Sequence, residues 1–300
     1  MTRAACLGAV ALVGLVPTVG AQMLHYEGGL SLASGTYIFT QRTNSFTLST
    51  GLAFSAGPVT FRGTFPVFLQ NTTLVASSGS GLLPTGGSSV GTVADSSVAR
   101  GGRGGGSGRG LLVVSDPAAL VLDAAADGTV DVPSTAVTGY QAHMGDPTFG
   151  ASVAFGSGPL GVLVGASAKA PVTDTASFGT GAWDVGASLS LSYRLGFTAI
   201  VSVDAGYWRM GDLPELDLQN PVLFSASVSH LSMRGWGFSA SFYSATSVIE
   251  GFPSSRSLTV GILRVGPRQS IGFNAGVGLT DTTPDFVVGL NWRLRLAGSY

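Results

Sequence analysis

Residues 183–195 read Trp-Asp-Val-Gly-Ala-Ser-Leu-Ser-Leu-Ser-Tyr-Arg-Leu. Taken at a period of two, one face is Trp183, Val185, Ala187, Leu189, Leu191, Tyr193 and Leu195. The other is Asp184, Gly186, Ser188, Ser190, Ser192 and Arg194. Strict alternation is the mark of a strand with one apolar and one polar side. Strands of ordinary soluble sheets run about five or six residues. A strand that crosses a bilayer at a tilt needs about 9–11, with aromatic side chains where the apolar band meets the headgroups. This stretch has both the length and an aromatic near each end, so it reads as one stave of an outer-membrane β-barrel.

The rest of the chain is consistent with that reading. Charged residues make up 10% of the sequence, and 45 of its 300 residues are glycine. Average soluble domains carry roughly 25% charged residues and about 7% glycine. Gly, Ser and Thr therefore fill the polar positions, as suits a sheet with lipid outside and a small polar interior. The N-terminus has the parts of a secretory signal peptide over residues 1–21: Arg3, an apolar run over 4–16, and Val19-Gly20-Ala21 as the cleavage site. No later stretch offers about 18 consecutive apolar residues, which excludes helical spans. The single cysteine, Cys6, lies in the segment to be removed. Disulfides, thiolate metal sites and a cysteine nucleophile are thereby excluded from the mature chain.

Outward from the opening stretch, alternation picks out twelve staves: 23–33, 45–56, 59–70, 147–156, 159–170, 183–195, 197–208, 221–231, 236–246, 256–265, 270–280 and 285–296. Pro66 falls on the lumenal face of the third, where its missing N–H calls for a local bulge. Connections alternate short and long, the short ones at 56–58, 156–158, 196, 232–235 and 266–268. Short inner turns, longer outer loops and an even strand count are the pattern of bacterial outer-membrane barrels. The expected fold is all-β: an antiparallel up-and-down transmembrane barrel of about twelve strands over 22–300. Residues 71–143, rich in Gly and Ser, form one long external loop, with 111–114 and 119–122 as short strands or a helical turn. Whether this loop plugs the lumen is left open.

On this register His25, Glu27, Arg62, Lys169, Asp184, Arg194, Asp204, Asp285, Arg293 and Arg295 face inward. All but the histidine are candidates for a lumenal constriction; salt bridges to one another, together with lumenal water, are the plainer alternative. Arg264 and His230 fall on the lipid face, both near inner strand ends, where a charge costs less than at the midplane.

Other chemistries find little support. His25, His143 and His230 have no serine and carboxylate in register beside them for a hydrolase triad. Asp116, Asp123, Asp127 and Asp131 do not match a calcium-loop spacing. The Gly-Arg tract at 101–110 has two arginines and no aromatics. The near-neutral balance gives no electrostatic case for nucleic acid. No enzyme, cofactor or metal is expected.

Gly179-Thr180-Gly181-Ala182-Trp183-Asp184, Gly145-Asp146-Pro147, Gly211-Asp212-Leu213-Pro214 and the hairpin over 279–286 resemble, in order, the motifs of outer-membrane transporters grouped as phenol-degradation meta-pathway proteins. The resemblance covers mainly 140–296 and more loosely 24–70. It implies passage of small, often aromatic or hydrophobic, solutes and brings no catalytic residue. The last strand, 289–296, is similar to the insertion signal read by barrel-assembly machinery, but ends in Leu296 and is followed by Ala297-Gly298-Ser299-Tyr300. The expected partners are outer-membrane lipid, that machinery and a small solute. A structural or adhesive barrel is the rival within the membrane, and a secreted β-sandwich the rival outside it.

Overall fold

The computed structural model describes residues 22–39, 41–85, 139–156, 158–173, 180–211 and 218–298. The chain forms β1 (Gln22–Gly35), β2 (Thr43–Ala56), β3 (Val59–Gln70), β4 (Ala76–Ser78), β5 (Gly81–Leu83), β6 (Gln141–Met144), β7 (Thr148–Phe155) and β8 (Leu160–Lys169). Then follow β9 (Asp184–Leu195), β10 (Ala199–Arg209), β11 (Val222–Leu231), β12 (Trp236–Ala245), β13 (Ser255–Val265), β14 (Gln269–Gly278) and β15 (Phe286–Ala297). Every pairing is antiparallel, and β1 joins both β2 and β15, which closes the sheet on itself. Thirteen strands make up this sheet. Because β6 and β7 lie end to end against β3, they act as one stave, and the barrel has twelve. Closure matters physically, since an open edge in lipid would leave N–H and C=O groups with no partner.

Stave β9 shows how the faces divide. Val185, Leu189, Leu191, Tyr193 and Leu195 are all exposed on the outside of the barrel, whereas Asp184 and Gly186 are buried on the inside. Exposed large apolar side chains recur on the outer face of every long stave, among them Leu52, Phe61, Phe149, Phe224, Phe238, Val260, Phe273 and Leu290. Rejected by water and unable to pack on a second sheet, this band suits acyl chains. Arg264, on that face at the inner end of β13, lies 5.2 Å from the Trp236 ring centroid and also donates to the Arg234 carbonyl. It thus reaches the headgroup level through its long stem.

Proline 66 does produce a bulge, but in the neighbouring stave. The β2–β3 register runs unbroken through Ser49↔Pro66. On the other side Val67 faces Met144 and Thr64 faces Thr148, so Phe65 and Pro66 oppose three residues, Gly145, Asp146 and Pro147. That one-residue excess splits the stave into β6 and β7. Gly145 donates to the Pro66 carbonyl at 2.8 Å, and a Cβ there would fall 2.2 Å from the Phe68 ring. Only glycine fits this approach.

The strand expected to begin at 147 begins earlier, since residues 141–144 add β6 to its outer end. Its polar–apolar alternation is only four residues long, too short to set it apart from the long loop in the sequence. The loop's short elements at 111–114 and 119–122 lie outside the described residues.

Candidate functional site

The end of the barrel bearing the short turns is the inner end, and its lumen is lined with arginines. Glu27 on β1 accepts from Arg62 at 2.9 Å and from Arg293 at 2.6 Å, so one carboxylate is clasped between two guanidiniums from β3 and β15. Both arginines remain half exposed to the lumen. Arg295 follows Arg293 on the same face and donates to the Pro267 carbonyl. Arg194 lies six staves round from β15 in a ring of twelve, on the opposite wall, and makes no ion pair with any described residue. Asp204 is engaged by Ser225, whose hydroxyl donates to it at 2.6 Å. His25 faces the same vestibule, paired in the ladder with Arg295.

The outer mouth is built differently. Apolar residues of four connections meet there instead of dispersing into solvent. Tyr37, Ile38 and Phe39, from the β1–β2 connection, pack on Leu74 and Val75 just beyond β3. Met210 and Leu218, from either side of the β10–β11 connection, pack with Val248 and Ile249 and with Leu83 of β5. Phe252 touches both groups. Leu74 and Val75 are wholly buried. This is the one apolar core among the described residues, and it lies across the mouth, not between two sheets. Tyr37 sits at φ 52°, in the left-handed region that side chains rarely adopt, which turns the chain back at the rim. Burial, with the Asp285 carboxylate nearby, pushes the Tyr37 phenol well above its ordinary pKa.

Polar side chains on the inside of the wall hold this cap. Gln70 donates from Nε2 to the carbonyls of Thr72, at 3.3 Å, and Val75, at 3.1 Å. The β4–β5 hairpin reaches across to β9, where Gly79 N–H donates to Asp184 at 2.8 Å. Asp184 also accepts from Gly211 N–H at 2.9 Å and lies 3.4 Å from Lys169 Nζ. Lys169 in turn donates to Asp146 at 2.8 Å and to Thr180 at 2.6 Å. Asp146 takes the N–H groups of Val172, at 3.0 Å, and Thr173, at 2.9 Å. One buried ion cluster therefore fastens the hairpin tip and two outer connections to the wall.

The constriction candidates thus separate into groups. Glu27, Arg62, Arg293 and Arg295 come together in the inner vestibule, with Arg194 and Asp204 across it. Lys169 and Asp184 do not line open lumen: they are 1% and 0% exposed, covered by the hairpin and serving as its anchor. Asp285 stands at the outer rim before β15, paired with Arg42 at 2.7 Å. Sequence reading missed Asp146 and Gln70 as anchors, and the mouth core entirely. The available signal was adjacent apolar pairs inside outer connections: Ile38-Phe39, Leu74-Val75, Leu82-Leu83 and Val248-Ile249. No group of metal-ligating side chains occurs among the described residues.

The chain is similar to several solved structures. An outer membrane channel from Pseudomonas putida F1 superposes with a TM-score of 0.57 at 12% identity, over 93% of this chain and 97% of that one. The NanC porin gives 0.47 at 7% identity over 91% and 100%. The CymD monoaromatic hydrocarbon channel gives 0.45 at 10% identity over 93% and 89%. No curated protein matches the sequence. A family described as "Putative MetA-pathway of phenol degradation" matches residues 102–296, more than half of the chain. With the closed twelve-stave barrel and the motifs at Gly145, Thr180 and Gly211 in place, the chain belongs to that family.

Proposed function

We propose that the protein is a passive outer-membrane channel for small, apolar and aromatic solutes, closed at rest by the cap across its outer mouth. One observation carries the reading: an outer surface fit only for lipid surrounds an interior lined mainly by Ser, Gly and charged side chains. Such an interior holds water, and a water-filled barrel conducts what fits through it. Glu27, Arg62, Arg194, Asp204, Arg293 and Arg295 would form the selective constriction. Residues 1–21 would direct export to a Gram-negative outer membrane, and the final strand would be the stretch that barrel-assembly machinery reads. No ATP and no redox group is needed for downhill passage, and the reading includes no catalysis.

Opening requires the β4–β5 hairpin to leave β9 and β10. The experiment is conductance of the full-length protein in planar bilayers beside a variant lacking residues 76–83. The expected result is rare openings in the intact protein and frequent, larger ones in the deletion variant. A folded deletion variant that stays electrically silent, in liposomes that admit no solute, would refute a channel.

A further inference from the structure

The lumen has two unlike walls. On one side β3, β1 and β15 present Arg62, Arg293 and Arg295, with Glu27 the carboxylate between them. On the other, Leu163 of β8 and Ile200 of β10 point inward, since they pair with Ser190 and Arg194 on the lumenal face of β9. Both stay open to the lumen, 42% and 37% exposed. Ile200 and Arg194 are directly opposite in the ladder, which places an aliphatic side chain about 5 Å from the root of a guanidinium. Neither feature is explained by the wall itself: an aliphatic group in a water-lined interior gains nothing unless something apolar covers it.

Charge is also distributed unevenly along the axis. Arg62, Arg194, Arg293 and Arg295 all lie within the inner halves of their staves, against Glu27 and Asp204. Glu27 neutralises one of the two guanidiniums it touches, so the vestibule keeps a surplus of positive charge. Among the described residues, Asp146, Asp184, Glu250, Asp281 and Asp285 lie instead in the outer halves of staves or in outer connections. A low-permittivity wall around a narrow charged lumen focuses that surplus on whatever enters.

Building on the channel reading, we infer that the inner vestibule selects small organic anions with an apolar body. The arginines receive the anionic head, and Leu163 and Ile200 receive the apolar part. An aromatic carboxylate or sulfonate has this chemistry; a neutral hydrocarbon uses only half of the site, and an organic cation is repelled.

The test is tracer uptake by liposomes holding the full-length protein, in parallel with the variant lacking residues 76–83 so that the mouth does not limit entry. The probes are benzenesulfonate and phenyltrimethylammonium, which keep their charge at every working pH, and methanesulfonate, which lacks the ring. All are measured in about 0.1 M KCl, where screening acts over about 10 Å. Benzenesulfonate should enter about fivefold faster than phenyltrimethylammonium. Glu27→Gln should widen that ratio, and Arg194→Glu with Arg293→Glu should reverse it. Ile200→Ser should slow benzenesulfonate and leave methanesulfonate unchanged. Each variant's fold is checked by its heat-modifiable migration in detergent. Equal or faster entry of the cation overturns the anion preference while leaving the channel standing. Entry of none of the three probes, through either form, overturns the channel and this inference together.

Discussion

Leu189 and Ser190 are adjacent on β9 yet meet different solvents. Leu189→Arg puts a guanidinium against acyl chains, at a cost of about 2–4 kcal/mol near the midplane. Ser190→Arg puts the same group into the lumen beside Asp204, to which Ser190 is paired. The first variant should therefore be lost from the membrane fraction as folded, heat-modifiable protein, and the second should accumulate like the parent. Equal recovery of both would contradict the face assignment. Lys169 makes a second residue-scale case. Lys169→Met leaves Asp146 and Asp184 buried with no cation, which typically costs about 3–5 kcal/mol. Because those carboxylates hold outer connections and not the barrel ladder, the loss should appear at the mouth. Proteolysis within the outer loops should speed up while the barrel remains resistant to denaturation in detergent; unchanged loop cleavage would show that the cluster holds nothing.

The elements differ in how far they could be read in advance. Long staves announce themselves, since a lipid-facing side chain at every second position over ten or more residues leaves no other interpretation. Apart from the outer end of the β6–β7 stave, their ends match the structure to within about two residues, which is the ordinary fraying of strand termini. The hairpin β4–β5 was not legible: its strands have three residues each, Ala-Ser-Ser and Gly-Leu-Leu, too short for a period to show. Nor was the mouth core, because its apolar residues come from four separate connections and only the closed barrel brings them together. Lys169 and Asp184 were placed on the correct face, but burial depends on the hairpin that covers them. The hairpin tip supplies its own prediction. A Cβ at Gly79 would lie 2.4 Å from the Trp208 ring, so Gly79→Val should unseat the tip and raise the open probability in planar bilayers. A variant as quiet as the parent would place the gate elsewhere.

At the scale of the molecule, the fold turns the usual arrangement of a soluble protein outward. Greasy side chains surround the sheet, mostly polar ones line its inside, and the only apolar core among the described residues seals one end. Two properties follow: the protein depends on lipid for its outer surface, and passage depends on moving that seal. Both rest on the claim that the odd positions of 183–195 touch hydrocarbon while the even ones from 188 onward face water. Spin labels placed singly at residues 185–194 in liposome-reconstituted protein test this directly, through relaxation by oxygen, which concentrates in lipid, and by a water-soluble nickel chelate. The account predicts two opposed oscillations of period two, oxygen highest at 185, 187, 189, 191 and 193 and nickel highest at 188, 190, 192 and 194. Odd positions shielded from both reagents would mean they pack against protein, and the barrel reading would be wrong.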